Sequence, residues 1–339
     1  MTSLGFGIVG TGFIAGVIAE ALGQAEGAHL AAVSSRDGAR ARAFADDHGG
    51  SAAAVEGHQA LLTRDDVAAV YVAVPTVAKE EIALAAIAAG RHVLVDKPFL
   101  NEASARRMID AAHAAGVLFM DATHFTHHPR THALRAALAT TIATPRSLHT
   151  AFYFPFSDKT NIRLNPDQEP TGAVGDMAWY SLRAAVEYLA PQGAPQTVQA
   201  LAERDPDTGG VVRATGLIGF ADGTSTTFDV GYTADTLAMD LHLIGTTGIV
   251  TMDDFVLDWA NSFPFKNTGL KAGYVHRYGM ASHADARFVE VASDTPQQVL
   301  MVDRFADLAR TGSADDRARA AAPTLATQAL LDAVWAAMT

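Results

Sequence analysis

The chain has 339 residues, of which 49% are hydrophobic and 18% are charged, so it has enough apolar sequence for two hydrophobic cores and little sign of disorder. Its formal net charge of −12 would repel a phosphate backbone, which argues against nucleic acid as a partner. Because cysteine is absent, disulfides and thiolate metal sites are excluded.

The apolar runs bear on the location of the protein. Charged residues and glycine break them before the ~18 residues that a bilayer span requires, so we expect no membrane partner. The first strand-like run begins near residue 5, which leaves no room for a cleavable leader. Together with the lack of cysteine, which fits a reducing compartment, these features predict a cytoplasmic protein.

The N-terminal part of the chain alternates short β-branched runs with helical patterns, which is typical of a parallel sheet with crossover helices. The expected strands cover residues 6–9, 30–34, 67–74, 92–95 and 117–120, and the expected helices cover residues 13–22, 39–47, 78–89 and 104–115. We therefore predict an α/β Rossmann domain, a doubly wound parallel sheet, over residues 1–122.

After residue 122 the pattern changes to one strong helix, 172–189, and then to strands without intervening helices. These strands cover residues 197–202, 211–220, 224–232, 238–244 and 248–252, and helices over 296–310 and 323–338 close the chain. Consecutive strands joined by turn signals argue for a mostly antiparallel sheet. We predict an α+β domain over residues 123–339 that serves substrate binding and oligomerisation.

A glycine-rich turn follows the first expected strand and opens the first expected helix. Its sequence from Gly10 to Ala15 fits G-x-G-x-x-A, in which the first glycine makes the turn and the second lets a pyrophosphate approach the backbone. An ordinary glycine turn could give the same letters, but the strand-turn-helix context indicates a dinucleotide site whose phosphates face the helix N-terminus. The residues assigned to the cofactor here are Gly10, Thr11, Gly12, Phe13 and Ile14.

The end of the second strand predicts which cofactor binds. NAD enzymes place a carboxylate about 20 residues beyond the glycines, whereas this strand ends in Ser35 and Arg36. Ser35 can hydrogen-bond a 2′-phosphate and Arg36 can pair with it, so we predict NADP. The alternative is that Arg36 is a solvated charge and Asp37 turns back to the ribose, which would favour NAD.

With the glycine motif followed by Val95-Asp96-Lys97-Pro98, the chain resembles the glucose-fructose oxidoreductase/inositol dehydrogenase (Gfo/Idh/MocA) family. That family combines a Rossmann domain with an α+β domain whose large open sheet commonly forms the subunit contact. The resemblance implies an NADP-dependent oxidoreductase and a homo-oligomer, a dimer or a tetramer. It also implies cofactor contacts from Val74, Pro75, Lys79, Asp96 and Lys97.

The second domain carries the rest of the resemblance. The segment from Gly172 to Tyr180 resembles the family's helix, with Tyr180 where many members have histidine. Tyrosine at that position is similar to the glucose-fructose oxidoreductase and dimeric dihydrodiol dehydrogenase branch, which uses NADP. Three departures accompany it: Asp96 stands in place of the family's glutamate, and Thr76 and Lys79 replace its common asparagine and histidine.

One face of the helix over 172–189 carries polar or ionisable groups at positions i, i+4, i+7 and i+11, namely Asp176, Tyr180, Arg183 and Glu187. An ordinary solvated helix face would give the same pattern. Given the resemblance, we interpret Asp176 and Tyr180 as catalytic and assign Arg163, His124, Asp176 and Tyr180 to the substrate.

Lys97 precedes a proline at the carboxyl end of a strand, the edge where ligands bind in open α/β sheets. A solvent-exposed lysine in a turn is the alternative, but position and resemblance together indicate catalysis. Oxidation of an alcohol also removes its hydroxyl proton, so a base must lie within hydrogen-bond reach. Either Lys97 accepts that proton, or its ammonium stabilises the phenolate of Tyr180, and the sequence leaves both roles open.

Several histidines crowd one segment: His124, His127, His128 and His132. Such spacing can bind metal, but no carboxylate pattern completes a site, so we expect no metal and interpret His124 as lining the pocket.

The leading hypothesis is hydride transfer between NADP and a secondary alcohol or carbonyl of a sugar, polyol or cyclic diol. A non-catalytic dinucleotide-binding sensor of the same fold is the alternative. The particular substrate and the direction of the reaction cannot be derived from the sequence.

Overall fold

The computed structural model describes residues 3–48, 50–263, 265, 267 and 269–338. The chain divides into two compact units, one formed by Met1–His124 with Thr295–Leu325 and the other by Phe125–Asp294 with Ala326–Thr339. Among the described residues, no helix combines the length and the apolar composition that a membrane crossing requires. Each unit has its own sheet.

The first unit is built on a six-stranded parallel sheet in the order β3-β2-β1-β4-β5-β6. This order is that of the dinucleotide-binding α/β fold, and it confirms the predicted doubly wound sheet. Its strands are β1 Leu4–Val9, β2 Ala28–Ser35, β3 Ala53–Glu56, β4 Ala69–Val72, β5 His92–Val95 and β6 Phe119–Asp121. Its crossover helices are α1 Phe13–Gln24, α2 Gly38–His48, α3 His58–Leu62, α4 Lys79–Ala88 and α5 Glu102–Ala115.

The second unit contains an eight-stranded sheet in the order β14-β13-β12-β11-β7-β10-β9-β8. Its strands are β7 Pro145–Tyr153, β8 Pro195–Arg204, β9 Val211–Phe220, β10 Ser225–Gly231, β11 Ala238–Gly245, β12 Gly248–Met252, β13 Gly273–Tyr278 and β14 Arg287–Glu290. All neighbouring pairs are antiparallel except β7 with β10. The predicted α+β class with a mostly antiparallel sheet is therefore confirmed.

One face of this second sheet is buried by helices of the same unit. Along β7, Leu148, Thr150 and Phe152 are buried while the residues between them are partly exposed. The helical elements are α6 Pro129–Thr141 and a segment from 174 to 189 that includes α7 Trp179–Ala184. Alternate residues on each strand therefore face a core and the opposite, wetter surface.

The chain then returns to the first unit through α8 Gln297–Thr311. The ring of Phe305 in α8 lies 5.2 Å from the ring of Phe6 in β1, and Asp303 accepts a 2.8 Å hydrogen bond from the amide of Gly27. Residues 295–325 therefore belong to the first unit, whereas the sequence analysis assigned all of 123–339 to one C-terminal domain. The reason is that α8 buries its apolar face in the core of the Rossmann unit.

The last helix, α9 Ala314–Met338, begins earlier than the predicted helix over 323–338. Ser313 and Asp316 bond each other's backbone amides and side chains at its start, which satisfies the first-turn donors. Pro323, which the sequence indicated as a helix start, lies inside the helix. The hydrogen-bonding residues at 313–316, and not the proline, therefore set the beginning of α9.

Candidate functional site

The carboxyl ends of neighbouring strands bring the predicted cofactor residues of the first unit to one edge of the sheet. Val9 in β1 is paired with Val72 in β4, and Val72 is paired with Val95 in β5. The residues that follow these strands, namely the glycine turn, Val74 with Pro75, and Asp96 with Lys97, therefore emerge side by side. In open α/β sheets, ligands bind at this edge, where the strand order reverses between β1 and β4.

Gly10 makes a turn that other residues would not fit. Its φ is +118°, and a Cβ added there would lie 2.2 Å from the carbonyl oxygen of Ala73. At Gly12, in contrast, an added Cβ would meet no other atom of the described residues within 4 Å. Gly10 therefore shapes the turn, and Gly12 keeps a surface open where a ligand can approach the backbone.

The first turn of α1 is suited to bind an anion. Gly12 precedes the helix in an extended conformation and has no side chain to cap it, while Ala15 is fully buried where the helix packs on the sheet. Phe13, the first residue of α1, is 69% exposed. Backbone N–H groups at such a helix start attract phosphate through hydrogen bonds and the helix dipole.

A cleft of about 430 Å³ adjoins this turn. Thr11, Gly12 and Phe13 line it together with residues of α1 and α2, among them Arg40. Ile14 is partly exposed beside them.

The end of β2 presents the residues on which the NADP prediction depends. Arg36 is exposed, and the hydroxyl of Ser35 accepts a 3.3 Å hydrogen bond from the amide of Asp37. The carboxylate of Asp37 accepts hydrogen bonds from the amides of Ala39 at 2.8 Å and Arg40 at 3.4 Å. Asp37 thus stabilises the start of α2, as an N-terminal acidic residue commonly does.

Lys79 is placed differently from its predicted contact with the cofactor. Its side chain is 2% exposed, and its ammonium donates to the carbonyl oxygens of Lys97 at 2.9 Å and Pro98 at 2.8 Å. It also donates to the hydroxyl of Thr76 at 3.2 Å. Because these bonds direct the ammonium into the protein, the predicted cofactor contact of Lys79 has no support in this geometry.

Lys97 itself follows β5 and is 9% exposed. The peptide bond between Lys97 and Pro98 is cis, and the next residue, Phe99, is buried with its ring 5.8 Å from that of Phe119. The amide of Asp96 donates to the carbonyl oxygen of Val72 at 3.1 Å, which continues the pairing of the sheet to this point. The chain is therefore held on both sides of Lys97, at Asp96 by the sheet and at Phe99 by burial of its ring.

The histidine-rich segment does not converge on one point. His124 belongs to the first unit, where it is 3% exposed and its Nδ1 lies 2.9 Å from Nε2 of Gln297 in α8. His128 belongs to the second unit, where its Nδ1 accepts from the amide of Arg130 at the start of α6. Within the described ranges, no three histidine or carboxylate side chains are grouped in a way that could hold a metal ion.

In the second unit, the segment 174–189 forms a π-helical turn, Val174–Ala178, then α7, then a second π-helical turn, Ala185–Leu189. It has no ordinary solvated face, because the side chains of Arg183 and Glu187 form a 2.8 Å ion pair and are 7% and 6% exposed. Arg135 of α6 contacts the same glutamate at 2.9 Å. Arg183 and Glu187 thus connect helices, while Asp176 lies in the first π-helical turn.

Asp176 is the centre of a polar cluster in this unit. One oxygen of its carboxylate accepts from Nε of Arg163 at 2.8 Å and from the hydroxyl of Tyr232 at 3.0 Å. The guanidinium of Arg163 also lies 5.9 Å from the centre of the Phe156 ring, which in turn is 5.8 Å from the ring of Tyr232. The structure thus brings the predicted residues Arg163 and Asp176 together.

Tyr232 was not predicted as a site residue, although it ends the predicted strand over 224–232. Burial first, and then the negative charge of Asp176, raise the pKa of Tyr232 well above the usual 10.0. Its hydroxyl therefore keeps its proton and donates to the carboxylate. No local motif signals this role, because Asp176 and Tyr232 are 56 residues apart in the sequence.

Tyr180 lies in an aromatic environment. Its ring is 5.7 Å from that of Phe152 in β7 and 6.2 Å from that of Phe125, and the residue is 7% exposed. Edge-to-face and tilted ring pairs at such distances fix the orientation of a side chain. The direction of the Tyr180 ring is therefore set by its packing.

A parallel sheet in this order, with a glycine turn at its ligand-binding edge, defines the class of dinucleotide-binding proteins, and comparison with known proteins gives the family. Residues 4–123 match the family described as "Oxidoreductase family, NAD-binding Rossmann fold", and residues 131–251 match the GFO/IDH/MocA C-terminal domain. The chain belongs to the Gfo/Idh/MocA family, as the resemblance in sequence indicated.

Among its relatives, a D-xylose 1-dehydrogenase (NADP(+)) of Haloferax volcanii is 31% identical over 71% of this chain and 73% of the relative. A dTDP-3,4-didehydro-2,6-dideoxy-alpha-D-glucose 3-reductase of Streptomyces antibioticus is 41% identical over 48% of this chain and 49% of the relative, so the match spans about half of that protein. The structure is also similar to a 3-ketoreductase of Actinomadura kijaniata, solved with NADP and TDP-benzene. The TM-score is 0.86 at 26% identity, covering 99% of this chain and 98% of that one.

Proposed function

We propose that this protein is an NADP-dependent oxidoreductase that transfers a hydride between the nicotinamide and a secondary alcohol or carbonyl of a sugar, polyol or cyclic diol. The observation that carries the proposal is the alignment of strand ends in the first unit. The register of β1, β4 and β5 sets the glycine turn, Val74 with Pro75, and Lys97 next to one another at the ligand-binding edge of the sheet.

The residues at this edge fit NADP. The first turn of α1 and the open surface at Gly12 would take the pyrophosphate, and Ser35 and Arg36 would bind the 2′-phosphate. One oxygen of the Asp37 carboxylate accepts the amides of Ala39 and Arg40, so in the alternative that favours NAD only the other oxygen would serve the ribose. When bound, the cofactor supplies or accepts the hydride.

Acid-base chemistry is assigned to Lys97 and Tyr180. The hydroxyl proton of the alcohol must be taken up as the hydride leaves, and must be returned in the reverse direction. Either Lys97 is the direct proton acceptor or its charge stabilises the phenolate of Tyr180. Both roles require a side chain of fixed orientation. The bond from Lys79 to the carbonyl of Lys97 restrains the backbone at Lys97, and packing against Phe152 restrains the ring of Tyr180.

For the substrate, we propose that Asp176 and Arg163 bind hydroxyl or other polar groups. Their side chains are 24% and 39% exposed, so both can still reach a ligand while they hold each other. The relatives named above act on free xylose and on a dTDP-linked keto sugar, so both kinds of sugar are candidates. His124, bonded to Gln297, is kept as a candidate substrate contact on the strength of the sequence prediction.

A cytoplasmic location and a homo-oligomer remain predictions from the sequence. The oligomer is tested by light scattering of the purified protein at micromolar concentration. A mass of two or more times 35.6 kDa supports the homo-oligomer, and a mass of 35.6 kDa, that of the monomer, contradicts it.

The function is tested by a substrate screen that follows the absorbance of reduced NADP in both directions. The panel comprises free aldoses, polyols, cyclic diols and nucleotide-linked keto sugars, each with wild-type protein and with Lys97→Met. Turnover by the wild type that Lys97→Met loses supports the proposal. NADP binding with no turnover on any member of the panel would instead indicate a non-catalytic dinucleotide sensor.

A further inference from the structure

The ammonium group of Lys79 lies inside the first unit, although Lys79 is the first residue of α4. It bonds three oxygen atoms of its own chain: the carbonyls of Lys97 and Pro98 and the hydroxyl of Thr76. A lysine ammonium has three N–H donors and no acceptor, and each of these oxygens lies within hydrogen-bond distance of it. The Lys79 ammonium is therefore an internal, hydrogen-bonded group and not a surface charge.

The two carbonyls belong to successive residues, and one of them is that of Lys97 itself. A group that bonds both carbonyl oxygens restrains the two peptide planes on either side of Pro98. The first of these planes contains the Cα of Lys97, so the bonds restrain the backbone from which the Lys97 side chain leaves. Hydrogen bonds from a charged donor are about twice as strong as neutral ones. The segment after β5 is thereby connected to α4, a helix packed on the same sheet.

We propose that Lys79 is a positioning residue that acts through the main chain of Lys97 and Pro98 to hold the Lys97 side chain in its working direction. The proposal rests on the proposed function, because that function gives Lys97 its chemical role. It replaces the cofactor contact that the sequence predicted for Lys79. The cost of burying an ammonium is offset here by bonds that a neutral apolar residue could not make.

The first test compares turnover with cofactor affinity in two variants. Lys79→Met removes every donor at nearly the same length, whereas Lys79→Gln keeps two N–H donors without the charge. A misplacement on the order of 1 Å at a reacting group can cost about a hundredfold in rate, so we expect Lys79→Met to lose about tenfold to a hundredfold in kcat. NADP affinity should stay within about twofold, and Lys79→Gln should recover part of kcat.

The matched control is Glu80→Gln, at the next position of α4. Glu80 forms an ion pair with Arg107. Within the described residues, no hydrogen bond joins Glu80 to Lys97 or Pro98. This variant weakens the same helix without touching the two carbonyls. It should keep the wild-type kcat, and melting curves of all three variants separate loss of stability from loss of positioning.

The second test needs neither cofactor nor substrate. The lysines of the ligand-free protein are labelled competitively with acetic anhydride, and each rate is read by peptide mass spectrometry. In Lys79→Met and Lys79→Gln the rate at Lys97 should change several-fold, because its surroundings change. Lys159 and Lys271, which are exposed and paired with acids elsewhere, should keep their rates and serve as internal references.

The outcomes separate this proposal from the proposed function. Wild-type kcat together with an unchanged labelling rate at Lys97 overturns the positioning role, while a selective loss of NADP affinity would return Lys79 to the cofactor site. If Lys97→Met itself keeps full turnover, the proposed function fails, and the labelling experiment still decides whether Lys79 positions Lys97. Should Lys79→Met fail to fold, Lys79→Gln carries both tests.

Discussion

The two units place their candidate functional residues by different physical means. In the first unit, strand register and a single glycine turn decide where the residues lie, and the backbone does most of the positioning. In the second unit, Asp176 is held by side chains that are 13 and 56 residues away along the chain, Arg163 and Tyr232. A site shaped by the backbone can be recognised in the sequence as a motif, whereas a site formed by side-chain contacts between distant residues cannot.

The difference also affects how each region should respond to mutation. A change at a backbone-defined position should act through strain and stability, whereas a change in the side-chain cluster should act through the orientation of one carboxylate. Substitutions in each unit test this contrast, beginning with the two proposed acid-base residues.

The largest effect is expected at the two proposed acid-base residues. A general acid-base group contributes about a hundredfold to ten-thousandfold in rate, so Lys97→Met and Tyr180→Phe should each lower kcat by at least about a hundredfold. NADP affinity should change little, because neither substitution alters the glycine turn or Arg36. Stopped-flow measurement of hydride transfer on the identified substrate checks this. Near-wild-type rates in both variants would move the chemistry elsewhere.

The glycine turn offers a pair of matched substitutions. Gly10→Ala puts a Cβ against the carbonyl oxygen of Ala73 at a positive φ, so we expect a loss of about 3 kcal/mol or more and a Tm lower by on the order of 10 °C. Gly12→Ala meets no such obstacle in the described residues and should keep the Tm. It should instead weaken NADP binding by about tenfold, or ~1.4 kcal/mol.

Calorimetry and a fluorescence titration of the two glycine variants make the distinction. If Gly12→Ala lowered the Tm as much as Gly10→Ala, or left NADP affinity intact, the assignment of shape to one glycine and of ligand approach to the other would be wrong.

The pH dependence of stability probes the second unit. Burial, and then the charge of Arg130, lower the pKa of His128 to about 4, against the opposing effect of Asp258, whose carboxylate is 3.8 Å away. The unfolded chain takes up this proton near pH 6.5 and the folded chain only near pH 4, so stability falls as the pH is lowered through that window. The difference corresponds to at most about 3 kcal/mol.

Urea unfolding at pH 7.5 and pH 5 measures this fall. His128→Asn removes the titrating group, and its amide oxygen can still accept the bond from the amide of Arg130 at the start of α6. The variant should therefore lose less stability than the wild type over this interval. An identical loss would place the pH dependence elsewhere, for instance at His92 of the first unit, whose pKa burial also lowers to about 4.

The smallest of these effects is expected at Tyr232. Tyr232→Phe removes one hydrogen bond to a carboxylate, worth about 1.5–3 kcal/mol, but leaves the bond from Arg163 in place. We expect kcat/KM to fall by about tenfold, mainly through KM if Asp176 binds substrate. Arg163→Lys, which loses the planar guanidinium, serves as the comparison. An effect of Tyr232→Phe on NADP affinity alone would contradict the cluster's proposed role.

Much of the fold could be predicted from the sequence, because alternating strand and helix patterns and one glycine motif define the Rossmann unit. The central strand of the second sheet, β7, escaped prediction. Its polar/apolar alternation is broken, because polar Thr150 is at a buried position and apolar Ala151 at a partly exposed one. The pairing that makes it a strand comes from β10 and β11, more than 70 residues later. The return of α8 to the first unit depends on a contact equally distant in sequence, that of Phe305 with Phe6.

The residues of the candidate site also differ in whether the sequence alone could predict them. The turn at Gly10 and Gly12 could be predicted, because its shape follows from a local strand-turn-helix motif. The role of Tyr232 could not be predicted, because its bond to Asp176 is set by tertiary packing. The same holds for the bonds of Lys79 to the carbonyls of Lys97 and Pro98.

Binding of NADP at the sheet edge of the first unit is measured by titrating both nicotinamide cofactors against wild-type protein and Arg36→Ala, with intrinsic fluorescence as the signal. We expect the wild type to bind NADP at least about tenfold more tightly than NAD, and Arg36→Ala to lose this preference while its NAD affinity is unchanged. Equal or tighter binding of NAD by the wild type, or an undiminished NADP affinity in Arg36→Ala, would contradict this expectation.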